Sequence, residues 1–169
     1  MNEQPSLLNP QIGLSSPPAP TPITKPPIKF FVPGIPKTAG SKRAFMKPGM
    51  KFPIIVDDAG QAGKDWRGDI KRFASEYASL NLITSPLEVT FTFQMPRPKG
   101  HFGSGSNSQA VKASAPKVPT TKPDLLKMAR AAEDALTGVI WVDDSQIVDE
   151  HLHKRYGAPG MWVEIRELE

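Results

Sequence analysis

The apolar positions of this chain fall into short blocks. Their spacing switches between every second residue and every third or fourth. Ile28-Lys-Phe-Phe-Val reads as a strand closed by Pro33-Gly34, and Phe52-Pro-Ile-Ile-Val56 as a second one closed by Asp57-Asp58-Ala-Gly. Trp66, Ile70, Phe73 and Tyr77 stand at i, i+4, i+7 and i+11, which predicts an amphipathic helix over about 62–79. Lys64, Arg67, Lys71 and Arg72 fall on its other face. Leu87, Val89, Phe91 and Phe93 alternate with Glu88, Thr90 and Thr92, the pattern of a strand with one buried face. Leu125, Met128, Ala129, Ala132 and Leu136 predict a second helix over about 122–137. Residues 145–156 and Met161–Arg166 read as the last two strands. Residues 96–121 form a loop rich in Gly, Ser, Pro and Lys, long enough to suggest a function of its own. Residues 34–42 read as a flexible basic loop.

Proline distribution divides the chain. Eight of its 19 prolines lie in the first 28 residues, where no apolar period exists. Residues 1–27 are therefore expected to be a disordered or polyproline-like tail, and 28–169 a single domain. There is no cysteine, which excludes disulfides, cysteine zinc sites and thiol nucleophiles. No apolar run approaches the roughly 20 residues that span a bilayer. The start of the chain lacks the basic and apolar regions of a signal peptide. A protein of the cytoplasm with no membrane partner is expected.

The formal charge of +4 conceals a polarity. Residues 29–142 hold 17 bases and nine acids, whereas 143–169 hold three bases and seven acids. A basic body with a local acidic cluster suits a metal-dependent nucleic-acid enzyme, since bases attract phosphate and carboxylates hold a hard divalent cation. The cluster comprises Asp124, Glu133, Asp134, Asp143, Asp144, Asp149 and Glu150. Each acid also has a structural use. Asp124 fits a capping box at the helix start, Asp134 can pair with Arg130, and Asp143-Asp144 can form a turn. His151 and His153 alternate on one strand, but two histidines without a clear third ligand read as surface or packing residues. The chain after the second helix must run back along it to bring Asp144 near Asp124, because a helix of that length extends about 20 Å. Arg130 projects on the helix face opposite the core stripe and is placed to contact phosphate.

The stretch from Lys122-Pro-Asp-Leu-Leu-Lys through Glu-Asp-Ala-Leu-Thr-Gly to Trp-Val-Asp-Asp-Ser-Gln-Ile-Val-Asp149 resembles the RusA family of Holliday junction resolvases, with its densest match over about 119–157. These are small, dimeric, Mg²⁺-dependent endonucleases common in phages and prophages. The resemblance implies an α+β fold, a small mixed sheet packed with two main helices, and a homodimer acting on four-way or branched DNA in the bacterial host cell. It implies Mg²⁺ as the cofactor, with Mn²⁺ as the alternative. By position Asp124 and Asp144 match family aspartates that hold metal, with Asp143 or Asp134 in support, and Arg130 stands where the family has a catalytic lysine. Leu126 occupies the place of a second aspartate and Lys127 that of an asparagine, so Glu133, Asp134 or Asp143 is expected to supply the missing carboxylate. Lys127, Lys122, Lys117 and Lys112, with Lys42, Arg43 and Lys47, are the expected DNA contacts. A non-catalytic branched-DNA binding module, with Leu126 marking a lost metal site, is the competing reading.

Overall fold

The computed structural model describes residues 25–40, 42–57 and 60–169. Nearly all of the expected tail, 1–24, lies outside them, as do the side chains of Lys42 and Arg43. Strand β1 (Ile28–Pro33) leads to β2 (Lys42–Phe45) and β3 (Ile54–Asp57), followed by helix α1 (Gly60–Ser75) and β4 (Leu87–Met95). Helix α2 (Leu125–Leu136), β5 (Ile147–Tyr156) and β6 (Gly160–Glu167) complete the chain. The main sheet has the order β1-β6-β4-β5. β4 and β5 run parallel, and the other pairs antiparallel. A parallel pair needs a crossover, which the 96–121 loop and α2 provide.

The residues dictate which face is covered. Leu87, Val89, Phe91, Phe93 and Met95 alternate into the core, and Met161, Val163 and Ile165 of β6 meet them across the antiparallel register. Phe30 and Val32 extend the layer on β1. Trp66, Ile70 and Ala74 of α1 and Met128, Ala132, Ala135 and Leu136 of α2 close it from one side. The opposite face carries Lys29, Phe31, Thr90, Thr92, Trp162 and Glu164, with Trp162 still 49% exposed. The mixed sheet and two helices agree with the expected α+β class.

One expectation is corrected. The 34–42 segment is not loop to its end, because Lys42–Phe45 pairs antiparallel with β3 in a small second sheet. The 96–121 loop is internally bonded. Gly103 N donates to Ala110 O and Lys112 N to His101 O, both at 2.9 Å, and Arg97 lies over the Tyr156 ring at 4.1 Å. Among the described residues, no helix is long and apolar enough to cross a membrane.

Candidate functional site

Helix α2 organises the site, and its two ends are chemically different. Asp124 is the N-cap residue itself, whereas a capping box led by Thr121 would place it three positions further in, at N3. Its carboxylate accepts from Lys127 N at 3.2 Å, which satisfies one of the free donors at the helix start. Around it a cavity of about 770 Å³ is lined by Thr38, Lys122, Lys127 and Lys154 among others. Lys154 was not foreseen. It sits on the covered face of β5, and its ammonium donates to the carbonyls of Thr121 and, at 2.7 Å, of Pro123. Lys154 thereby ties down the segment that enters α2.

At the other end Thr137 N returns to Glu133 O at 2.9 Å, and Gly138 takes a φ of +75°. That left-handed residue lets the chain reverse where a side chain would be strained. The turn delivers Trp141 into the core, where its Nε1 donates to Thr137 Oγ1 at 3.1 Å. Asp143 then caps a short 3-10 turn, Asp144–Gln146, accepting from Ser145 N at 2.9 Å. The Ser145 hydroxyl and backbone N–H hold the Asp143 carboxyl below its usual range. Gln146 locks the turn. Its amide oxygen accepts from Val142 N and Asp143 N, and its nitrogen donates to the carbonyls of Ile83 and Ser85. These four bonds give a physical reason for glutamine in the Asp-Asp-Ser-Gln motif, and they set where Asp144 stands.

Asp144, Glu133, Asp149 and Glu150 line one open pocket of about 330 Å³. Glu133 is pushed up to about 8, first by burial, then by its hydrogen bond and charge contact with Glu150, then by the charges of Asp144 and Asp134. At neutral pH it is therefore protonated and bonded to Glu150. The native state holds this proton between roughly pH 4.5 and 8, where an unfolded glutamate has released it. Metal-free protein should accordingly lose stability as pH rises through that window. Melting temperatures measured in chelator should fall from pH 5 to 8, and Glu133→Gln should flatten that fall.

The expected carboxylates thus separate. β5 does run back along α2, but Asp144 precedes it and stays beside Glu133, nine residues beyond Asp124 and about 13 Å of helical rise away. Lys154, not Asp144, reaches the Asp124 end. Asp134 lines a third cleft with Lys64, Arg67 and Lys71 rather than pairing with Arg130, which is exposed. Leu126 is 70% exposed. Lys47, Lys117 and Lys122 are exposed cations, whereas the Lys112 amine donates to Gly100 O at 2.9 Å within its loop. On the uncovered sheet face, donor atoms of Glu88, Asp149 and His151 lie within 4.8 Å of one another. His151 therefore has carboxylate neighbours that sequence spacing did not reveal, though Arg166 already donates to Glu88 at 3.2 Å.

Comparison with known proteins gives two findings. A family model described as endodeoxyribonuclease RusA matches residues 33–166. An uncharacterized protein, YqaN of Bacillus subtilis (strain 168), is 34% identical over 145 residues, covering 83% of this chain and 96% of the relative.

Proposed function

The chain belongs to the RusA endodeoxyribonuclease family, and from that premise we propose that it is a divalent-metal-dependent resolvase of four-way DNA junctions. The single observation that carries this reading is that four acids, Glu133, Asp144, Asp149 and Glu150, line one open pocket. Its donors are all carboxylate oxygens, which fits Mg²⁺ or Mn²⁺ rather than a softer metal. A Glu133 carboxyl that keeps its proton through burial first, and then through its bond to Glu150 and the neighbouring acids, also suits a cation that would displace that proton. Asp144, Glu133 and Glu150 would hold the metal, which would lower the pKa of bound water and offset charge on the scissile phosphate.

The rest of the reaction falls to the chain. Gln146 and Asp143 fix the turn, so the Asp144 carboxylate is held before substrate arrives. Arg130, exposed on α2 between the two pockets, would steady a phosphate by charge but, being always protonated, would not donate a proton. Lys127 and Lys122 would bind backbone phosphates at the Asp124 end. Asp124 would keep Lys127 and the helix start in place, and a homodimer would present two such sites for paired cuts. Lys47 and Lys117 would contact the arms. Asp134, facing α1 cations, would act on the pocket only through its charge.

The exposed Leu126 favours a second reading, a branched-DNA binding module without cleavage. Purified protein, a labelled four-way junction and Mg²⁺ separate the two. Paired nicks support the resolvase, and tight binding with no cutting leaves the module. Leu126→Asp adds a finer test. If Glu133 and Glu150 already complete the site, cutting should change less than about threefold. A gain of tenfold or more would place the missing ligand at the other end of α2.

A further inference from the structure

Helix α1 carries a feature that the carboxylate pocket does not use. Lys64, Arg67, Gly68 and Lys71 stand at i, i+3, i+4 and i+7, and together with Asp134 of α2 they line an open cleft of about 370 Å³. Three cations face one carboxylate there. Lys64 and Lys71 are exposed, and the ammonium group of neither has a hydrogen-bond or ion-pair partner among the described residues. The acids of the same helix are engaged elsewhere: Gln61 donates to Asp65 at 2.7 Å, and Arg72 pairs with Asp69 at 3.1 Å.

Gly68 is the second observation. It lies in the interior of a 16-residue helix, where glycine is the weakest ordinary helix former. It has no positive φ, and a Cβ built on it would meet nothing within 4 Å. Neither backbone geometry nor packing within the chain therefore requires glycine. What glycine does provide is bare backbone at the floor of a cationic cleft, where a ligand can approach closely.

We propose that this α1 cleft seats the phosphate backbone of a DNA arm, with Lys64 and Lys71 bracketing it and Gly68 leaving room between them. The two lysines are two helical turns apart, about 10 Å of rise, far enough for each to meet a different phosphate of one strand. Asp134 on the cleft wall directly follows Glu133 of the carboxylate pocket, so a strand held in the cleft passes beside that pocket. The inference rests on the DNA-cutting reading and adds a docking track that the lysines of the 96–121 loop do not supply.

The test is binding of a fluorescent four-way junction in Ca²⁺, titrated at several salt concentrations, with melting temperatures recorded alongside. Lys64→Ala/Lys71→Ala should weaken binding about tenfold or more and lower the salt slope by about 1.8, or 0.9 per lost phosphate contact. Gly68→Gln should melt at or above wild type, because it improves the helix, yet bind at least about fivefold more weakly. Stable variants that bind with unchanged affinity and salt slope would overturn the inference alone. A wild type that binds no junction would overturn the resolvase reading, and the inference with it.

Discussion

Asp144→Asn is expected to lower Mg²⁺-dependent cutting of a four-way junction by at least about 100-fold while leaving affinity for the junction within about threefold. The substitution keeps shape and removes one anionic oxygen from the acids that line the pocket, so the cation loses a ligand and the scissile phosphate its counter-charge. Affinity is spared because phosphate contacts by lysine and arginine dominate it. Asp144 is exposed and outside the core, so folding should be unaffected. Comparable cutting by wild type and variant would remove Asp144 from the site.

The second large effect concerns stability. Trp141→Ala should cost about 3–5 kcal/mol, the usual range for emptying an aromatic position in a core. Trp141 is fully buried, and its indole nitrogen is satisfied by Thr137 Oγ1. Its backbone lies against Ile83, and it stands just before the turn that presents Asp144. Set against a typical stability of about 5–15 kcal/mol, the loss should lower the melting temperature by roughly 10 °C or more. Urea unfolding measures it directly. A change below about 1 kcal/mol would mean that the neighbourhood collapses into the space, and that Trp141 does not brace the turn.

Much of the fold was legible because its signals are local. The alternation of Leu87, Val89, Phe91 and Phe93 gave β4 and its buried face, and the period of Met128, Ala132 and Leu136 gave α2. β2 was not legible. Lys42–Phe45 is short and basic, and only its pairing with β3 makes it a strand. The acidic site was read in part for a similar reason. Which face each residue of β5 presents depends on its register against β4, and that register shifts between Leu87 and Glu88, leaving Val148 as the extra residue. A slip of one residue exchanges the faces. The observed register sends Glu150 toward α2 and Glu133, and Asp149 and His151 to the uncovered face with Glu88. Spacing along the chain carries no trace of that choice. It named Glu133 as one of three substitutes for the absent carboxylate at Leu126, but offered no reason to select Glu150 beside it.

The period placed Arg130 and Lys127 on α2, and Asp124 caps its start rather than lying in its first turn, but their distance from Asp144 was not legible. The helix and the strand after it run side by side, so the order of residues along β5 decides which of them reaches each end of α2. Lys154 reaches the Asp124 end, and Glu150 the end where Asp144 waits.

The most direct measurement is junction cleavage in Mg²⁺ by wild type beside Glu133→Gln and Glu150→Gln, with a linear duplex of the same sequence as control. Wild type is expected to make paired nicks in the junction and to cut the duplex little, and each variant to lose at least about tenfold. Full cutting by both variants would contradict a metal site at the Asp144 end of α2.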